Sequence, residues 1–211
     1  MKARIRLALL LLPLLGLAWL QGHGRPSAAG QRNYLDSLRS FWQGVYPNGG
    51  RTLYCGRAFR PHDRKVNAEH VYPMSWVTRK LRCGTREQCR HRSARFNLIE
   101  SDMHNIFAAL KDINQARGSM PYAIIPGEKH YRKGCDFEVD FRRRVVEPRP
   151  EARGRIARAM LYMADTYGLD LYKRQRKLME EWNRRYPPDE AERRHNRRVA
   201  RLQGKPNPYI R

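Results

Sequence analysis

The sequence has only one long apolar stretch, and it lies at the very start. This run covers residues 7–20 and is interrupted by Pro13. A transmembrane helix needs about 20 consecutive apolar residues, so a membrane span is disfavoured. Three basic residues precede the run, and a basic head before a short apolar stretch is typical of a secretory signal. We therefore predict a signal peptide and short linker at residues 1–29, followed by one domain at residues 30–211.

Two points about this leader stay open. An uncleaved membrane anchor is the alternative to a signal peptide. Three small residues are candidate cleavage points: Ala18, Gly22 and Ala29.

The sequence also lacks a CxxC motif and contains only four cysteines, Cys55, Cys83, Cys89 and Cys135. Without CxxC, and with the closest pair six positions apart, a structural zinc site is disfavoured. An even number of cysteines in an exported chain predicts disulfides. Four cysteines allow three pairings. A Cys83–Cys89 bond would close a short loop and would leave Cys55–Cys135 to join the two halves of the domain.

Acidic residues are scarce relative to basic ones. The chain has 20 Asp and Glu against 43 Lys and Arg, which gives a formal net charge of +23. Such an excess favours a polyanionic partner, of which nucleic acid is the commonest. Acidic membranes and polysaccharides are the other partners that this charge allows.

Hydrophobic periodicity and turn residues predict a mixture of helices and strands. Helices are predicted at residues 33–46 with Asn33 as N-cap, at 95–118 in one or two pieces, and in the tail around 156–167, 178–182 and 187–204. Strands are predicted at residues 52–56, 65–73 and 135–141, the last with Phe137, Val139 and Phe141 inward and with Glu138 and Asp140 outward. The arginine-rich residues 79–95 are predicted to form a loop.

One acidic side chain and one imidazole stand together in "NAEHVYP", as Glu69 and His70. An isolated histidine beside a turn is usually a satisfied polar residue. A zinc-protease helix is excluded, because that motif needs two histidines on one helical face and Pro73 ends the local structure.

Five further motifs follow in a fixed order. They are "GTREQC" at 84–89, "ESDMHN" at 100–105, "INQARG" at 113–118, "ARGRIARAMLYM" at 152–163 and "LQGKPNPYIR" at 202–211. Together with the Glu-His pair, this ordered set resembles the bacterial endonuclease I family of periplasmic or extracellular non-specific nucleases. The resemblance runs from about Tyr34 to the C-terminus.

The resemblance implies an α+β fold, with one mixed domain that contains a ββα-metal (His-Me finger) nuclease core and a helical C-terminal portion. It implies that His70 is the general base, that Glu69 and Asn114 bind Mg²⁺, and that Arg86 contacts the phosphate near the leaving group. Histidine and a hard cation with oxygen ligands suit phosphodiester hydrolysis.

The substrate implied is double-stranded DNA, cut without sequence preference to leave 5′-phosphate ends, with RNA as a second substrate left open. The protein would be a periplasmic or extracellular monomer. The alternative is a non-catalytic basic protein that binds or takes up nucleic acid on the same fold, and a third interpretation is a basic adhesion protein of the cell envelope.

The chain departs from the family pattern at two places. Many relatives have Gly-Asp after the asparagine, where this chain has Gln115 and Ala116, so an acid that would orient Asn114 is missing. Many also have a cysteine near the position of Arg193 that tethers the terminus, and without it the last helix is expected to fray.

The remaining polar residues of these motifs receive structural interpretations. His104, Asn105 and Glu100 are expected to organise hydrogen bonds, and Asp102 is the better candidate for supporting the site. Four other histidines are expected to be solvated: His62, His91, His130 and His195.

Overall fold

The computed structural model describes residues 33–127 and 129–211, so the predicted leader lies outside the described residues. The described chain is a mixture of helices and small antiparallel sheets. The strands are β1 (Gly50–Arg51), β2 (Ala58–Phe59), β3 (Val66–His70), β4 (Ile106–Leu110), β5 (His130–Arg132), β6 (Cys135–Asp140) and β7 (Val145–Pro148). The helices are α1 (Tyr34–Ser40), α2 (Met74–Leu81), α3 (Arg86–Arg92), α4 (Ala94–Glu100), α5 (Lys111–Arg117), α6 (Pro150–Tyr167), α7 (Lys173–Arg185) and α8 (Glu190–Gln203).

Three sheets are present among the described residues. β1 pairs with β2, β3 pairs with β4, and β5, β6 and β7 form a three-stranded sheet with β6 in the centre. The β3–β4 register places Glu69 opposite Phe107 and His70 opposite Ile106. α5 follows β4 directly, so two antiparallel strands and one helix form a compact unit around Glu69 and His70.

β4 corrects the prediction of a helix across residues 95–118. The segment forms α4, a short 3-10 helix at Met103–Asn105, β4 and α5. Every residue of β4 is buried, and a short apolar run of this kind has no periodicity that separates a buried strand from a buried helix. The helical prediction is therefore wrong for residues 106–110 and correct on either side of them.

The prediction of a loop at residues 79–95 is also wrong. The segment contains the end of α2 and all of α3. α3 begins with a capping box, in which the Gln88 backbone nitrogen donates to Thr85 Oγ1 and the Thr85 backbone nitrogen donates to Gln88 Oε1. This box satisfies backbone donors at the helix start, while the many arginines lie on exposed faces.

Two strand predictions need correction as well. Residues 52–56 form a turn, closed by the Gly56 backbone nitrogen donating to the Thr52 carbonyl, and the strand lies at Gly50–Arg51 instead. In the strand at residues 135–141, Phe137 is buried as predicted, but Glu138 is only 5% exposed and Phe141 is 62% exposed. β6 ends at Asp140, so Phe141 lies in the turn beyond the sheet, against Tyr131.

The helix predictions for both ends of the chain are confirmed. α1 begins after Asn33, whose side chain accepts a hydrogen bond from the Asp36 backbone nitrogen, and it continues as a π-helical turn over Phe41–Val45. α6, α7 and α8 form the tail. α6 is buried along most of its length and packs against α7 in the main hydrophobic core.

Both predicted disulfides are present, as Cys55–Cys135 and Cys83–Cys89. The first joins the loop after β1 to the start of β6, and the second joins the loop after α2 to α3. In the described part of the chain, no helix combines the length and the apolar character that a membrane crossing requires.

The C-terminus is held by side chains rather than by a cysteine. The Asn207 backbone nitrogen donates to Asn196 Oδ1, and Asn207 Nδ2 donates to the Arg158 carbonyl. Arg158 itself forms a buried ion pair with Glu192 of α8. These contacts supply a tether at the end of α8, where fraying was expected in the absence of a disulfide.

His195 is not solvated, which corrects its predicted environment. Its ring stacks on Phe107 of β4 with 5.1 Å between centroids and 3° between planes. Its Nε2 atom is buried and has no hydrogen-bond partner among the described residues. Burial lowers the pKa of His195 to about 3, and the positive charges of Arg155 and Arg198 act in the same direction.

Replacing His195 with phenylalanine is expected to reduce the acid sensitivity of the fold. Because the folded-state pKa lies below the unfolded value of about 6.5, the unfolded state binds more protons, and stability falls as the pH drops from about 6.5 towards 3. Between pH 6.5 and 5 this one residue contributes a loss of about 2 kcal/mol. Urea unfolding of wild type and His195→Phe at both pH values measures the difference, with His91→Phe, an exposed position, as the control. Equal pH dependence in all three proteins would contradict it.

Candidate active site

A polar cavity of about 520 Å³ lies at the end of β3. All four residues predicted for catalysis and metal binding line it, together with Arg117. They come from distant parts of the chain, since Glu69 and His70 end β3, Arg86 begins α3, and Asn114 and Arg117 lie on α5. The fold thus brings the predicted residues together in one cavity.

Glu69 and His70 are adjacent in sequence but contact different groups. Both are buried, with 3% and 7% exposure. Successive side chains of a strand point to opposite sides. The Glu69 carboxylate meets Tyr54 and Arg117, whereas the His70 ring meets the Glu100 carbonyl. The two side chains therefore border the cavity from two directions.

The tautomer of His70 follows from its hydrogen bond. Nε2 lies 2.9 Å from the Glu100 carbonyl oxygen, and because a carbonyl only accepts, Nε2 carries the hydrogen and donates it. Nδ1 is then the unprotonated nitrogen. Burial lowers the pKa of His70 to about 4, with the positive charge of Arg86 as the next cause, so the ring is neutral at pH 7 and can accept a proton.

Glu69 is held by two donors at the same oxygen. The Tyr54 hydroxyl donates to Oε1 at 2.6 Å, and Arg117 Nη1 lies 3.1 Å from Oε1. Burial raises the pKa of Glu69, while the positive charge of Arg117 and the Tyr54 hydrogen bond oppose that rise. Arg117 also donates to the His70 carbonyl, so one guanidinium fixes the backbone and a side chain of the Glu-His pair.

Asn114 is oriented by the strand that it faces. Its Nδ2 donates to Asn67 Oδ1 at 3.0 Å and to the Ala68 carbonyl at 3.2 Å. Because a carbonyl oxygen can only accept a hydrogen bond, the Asn114 atom that faces the Ala68 carbonyl must be the amide nitrogen. Oδ1 is the remaining polar atom of Asn114 and can serve as a ligand. These hydrogen bonds to β3 hold the Asn114 side chain in place, so an acidic residue at the position of Ala116 is not needed to orient it.

Arg86 reaches the cavity from the first turn of α3. Its Nε donates to Glu100 Oε1 at 2.5 Å, while its side chain keeps 44% exposure. Arg90 binds the same carboxylate with Nε and Nη2. Glu100 is fully buried. It therefore orients His70 through its carbonyl and Arg86 through its carboxylate.

Sequence reasoning missed two residues that support the site, Tyr54 and Arg117, and it expected Glu100 to organise hydrogen bonds without placing those bonds at the site. Arg117 lies in "INQARG", one of the motifs whose order resembles the family. Its buried contacts, however, could not be predicted from the sequence. Asp102 is not part of the site, which corrects its predicted role. It accepts hydrogen bonds from Tyr162, Tyr167 and Gln203 in a separate network.

The structural interpretations of His104 and Asn105 agree with the structure. His104 Nε2 contacts the Lys205 carbonyl, and the Asn105 side chain binds the backbone of Tyr72 at both its nitrogen and its oxygen. Neither side chain lines the cavity.

A second group of potential metal ligands lies outside the cavity. His130, Asp136 and Glu138 offer ligand atoms within 4.8 Å of one another on the three-stranded sheet, and only Glu138 is buried. Exposed acidic groups are common on protein surfaces. This group does not contain any residue predicted to bind metal.

A neutral buried imidazole, a carboxylate, an amide and an arginine in one polar cavity have the chemical composition of a hydrolase site for an anionic substrate. The model of the Endonuclease I family matches residues 29–211 of the chain. The chain therefore belongs to the Endonuclease I family and is a nuclease.

Individual relatives agree with this assignment. A periplasmic deoxyribonuclease of Aeromonas hydrophila is 34% identical over an alignment of 224 positions that covers 94% of this chain and 94% of the relative. Two extracellular deoxyribonucleases of the same organism are 41% and 40% identical, over 69% and 74% of this chain and 65% and 71% of their own lengths. Their names confirm the prediction of a periplasmic or extracellular protein.

Proposed function

We propose that this chain is a Mg²⁺-dependent endonuclease that hydrolyses DNA without sequence preference and leaves 5′-phosphate ends. In this proposal β3, β4 and α5 act as a ββα-metal core. The observation that carries it is the shared cavity, which is lined by His70 with its unprotonated nitrogen, by the oxygen donors Glu69 and Asn114, and by the cation of Arg86.

The donor set suits a hard divalent cation. Mg²⁺ prefers oxygen ligands and retains several of its waters, so one or two protein oxygens are sufficient when substrate phosphate completes the shell. Tyr54 and Arg117 both engage Glu69 Oε1, which leaves Oε2 as the ligand atom. When bound, the cation would neutralise charge that develops on the leaving oxygen.

His70 and Arg86 then have separate roles in hydrolysis. His70 Nδ1 accepts a proton from the water that attacks phosphorus. The bond between phosphorus and the 3′ oxygen breaks, the phosphate stays on the 5′ oxygen of the downstream nucleotide, and the 3′ oxygen of the upstream nucleotide is released as a hydroxyl after protonation from solvent. Arg86 has guanidinium nitrogens beyond its bond to Glu100 and contacts the phosphate as charge shifts.

Phosphate contacts are expected to dominate binding. The chain has a formal net charge of +23, and most of its basic residues are arginine, whose guanidinium groups bind phosphate in a bidentate manner. Such contacts carry no sequence information. A non-catalytic binding protein on the same fold is disfavoured, since the chain belongs to a nuclease family and combines all four residues in one cavity.

Analysis of the cut ends tests this proposal. Duplex DNA and RNA of equal length are incubated with the oxidised protein, with Mg²⁺ or with a chelator. Cleaved DNA whose ends carry a 5′-phosphate, formed only with Mg²⁺, supports it. Cleavage that survives the chelator, or ends that carry a 5′-hydroxyl, would overturn it. The RNA reaction decides whether RNA is a second substrate.

Replacing Asn114 with alanine is expected to raise the Mg²⁺ concentration that gives half-maximal cleavage. The increase should be about tenfold or more, because even groups that only support a ligand contribute about 10–100-fold to metal affinity. A Mg²⁺ titration of the cleavage rate measures it. Gln115→Ala is the matched control, since Gln115 is the exposed neighbour on α5. An unchanged midpoint in Asn114→Ala would remove Asn114 from the proposed ligand set.

Replacing Glu100 with glutamine is expected to lower kcat more than it raises KM. Without its charge, the side chain holds Arg86 and Arg90 less firmly, and misplacement of a catalytic group by about 1 Å can cost about 100-fold. DNA binding should persist, because losing one negative charge makes the net charge of the protein more positive. Glu87→Gln makes the same charge change at an exposed position of α3. Equal kinetics in the two variants would show that Glu100 does not position Arg86.

A further inference from the structure

Three helices of the described chain have a C-cap residue with a left-handed backbone conformation. The C-cap is Gly168 in α6 and Gly204 in α8, and glycine is the usual residue there because it has no Cβ atom to clash with the backbone. In α2 the C-cap is Arg82, with φ 50° and ψ 36°. This conformation costs free energy in a residue that carries a side chain, so the end of α2 by itself favours glycine over arginine.

The surrounding structure fixes Arg82 in this conformation. Its backbone nitrogen donates to the carbonyls of Thr78 and Arg79. The next residue, Cys83, is bonded through its disulfide to Cys89 of α3. A non-glycine residue that its neighbours hold in a sparsely populated backbone conformation is a candidate for a functional role. Arg82 therefore needs an explanation beyond the stability of the helix.

Arg82 lies beside the cavity of the proposed catalytic site. Thr78, one helical turn before Arg82, and Arg86, four residues after it, both line that cavity. One helical turn rises about 5.4 Å, and successive phosphates of one DNA strand are about 3.4 Å apart along the duplex axis. When Arg86 contacts the scissile phosphate, a neighbouring phosphate of the duplex therefore comes close to Arg82.

The positive charge of Arg82 has no acidic partner within the part of the chain that the structure describes. Lys80 pairs with Asp170, and both Arg86 and Arg90 pair with Glu100. The Arg82 side chain is exposed. An exposed guanidinium that no carboxylate neutralises is suited to a bidentate contact with phosphate.

We propose that Arg82 binds a backbone phosphate of duplex DNA close to the phosphate that is cut, and that this contact explains an arginine at a position that favours glycine. The inference rests on the proposed function, because that function places the scissile phosphate at Arg86. Arg82 holds the substrate and takes no part in the bond changes. A contact with phosphate reads no base, which agrees with cleavage that does not depend on sequence.

A purely structural explanation of the arginine makes the opposite prediction about stability. The dipole of a helix favours a positive charge at the C-terminal end, so on that explanation Arg82→Gly lowers the melting temperature. On our proposal, glycine relieves the left-handed conformation and raises the melting temperature by up to about 4 °C. Thermal unfolding of the two proteins distinguishes the explanations.

The chain offers a closely matched control for this substitution. Arg144 is exposed in the turn between β6 and β7 and has a left-handed φ of 55°. It does not line the catalytic cavity. Arg144→Gly therefore removes the same charge and the same kind of backbone strain at another place on the surface. Arg82→Lys is the complementary variant, because it keeps both the charge and the strain.

Binding of a short DNA duplex, measured with a chelator over a range of salt concentrations, tests the contact without cleavage. Arg82→Gly is expected to raise Kd by about tenfold relative to Arg144→Gly, as the loss of a hydrogen bond to a charged group predicts. The slope of log Kd against log salt concentration should fall by about one in Arg82→Gly. Arg82→Lys should keep most of this slope. In cleavage with Mg²⁺, KM should rise in Arg82→Gly while kcat changes little.

Equal affinities and equal salt slopes in Arg82→Gly and Arg144→Gly would overturn the inference. A lower melting temperature in Arg82→Gly than in the wild type would overturn it as well, because the arginine would then serve the helix. The proposed function fails separately. Wild-type protein that cuts the duplex in the presence of chelator, or leaves it uncut with Mg²⁺, would overturn that function.

Discussion

Replacing His70 with alanine is expected to reduce the rate of DNA cleavage by about 10²–10⁴-fold, the usual contribution of a general base. The unprotonated Nδ1 of the buried ring is the proposed proton acceptor, and alanine has no group to replace it. Arg86 and the rest of the basic surface remain, so DNA binding should be retained. Single-turnover cleavage at saturating Mg²⁺ measures the rate, and filter binding measures the affinity.

A matched control separates catalysis from a general effect of removing an imidazole. His91 lies on α3, close in sequence to Arg86, and is exposed, so His91→Ala should cleave at the wild-type rate. Circular dichroism establishes that both variants are folded. A folded His70→Ala protein with near-normal turnover would remove His70 from the proposed role of general base.

Removing the Cys55–Cys135 disulfide is expected to lower the free energy of unfolding by about 4–5 kcal/mol, as the chain-entropy account gives for a long loop. The bond spans 80 positions of the sequence, whereas Cys83–Cys89 spans six. For the short Cys83–Cys89 loop, the same account gives a decrease of about 2 kcal/mol in the free energy of unfolding. Tyr54, which holds Glu69, precedes Cys55, so losing the long-loop bond should also reduce activity.

Urea unfolding of the two paired variants, Cys55→Ala with Cys135→Ala and Cys83→Ala with Cys89→Ala, measures both losses. Activity in the presence of excess thiol gives a second readout, and reductant should inactivate the wild type. Equal losses from the two pairs would show that loop length does not govern the stabilisation. Full activity in thiol would show that the disulfides are dispensable.

Sequence motifs were sufficient to find four residues that line one polar cavity. Glu69, His70, Arg86 and Asn114 stand in short motifs whose order along the chain identified the family. Independently of the motifs, the net charge indicated an anionic partner and the short apolar leader indicated an exported protein. None of these signals depends on knowing the path of the chain between the motifs.

The path itself was harder to predict. β4 is a run of five buried residues, and burial on both faces removes the alternation that identifies a strand. α3 was missed because its composition resembles a solvated loop, although Thr85 and Gln88 carry a capping-box pattern. For α3, the capping residues indicated the helix better than the amino-acid composition did.

The residues that orient the site could not be found from sequence, because they act through space. Glu100 reaches His70 with its backbone and Arg86 with its side chain. Arg117 contacts β3 from α5. Asp102, two positions from Glu100, turns instead towards Tyr162 and Tyr167 of α6. Neighbours in sequence thus belong to separate networks.

The central claim is that His70 and a cation held beside it act together on one phosphodiester. The most direct measurement incubates supercoiled plasmid with oxidised wild type and with His70→Ala, each with Mg²⁺ or with chelator. The account predicts nicked and then degraded plasmid only for the wild type with Mg²⁺. Plasmid that is bound but uncut in every reaction, or cut equally by both proteins, would contradict it.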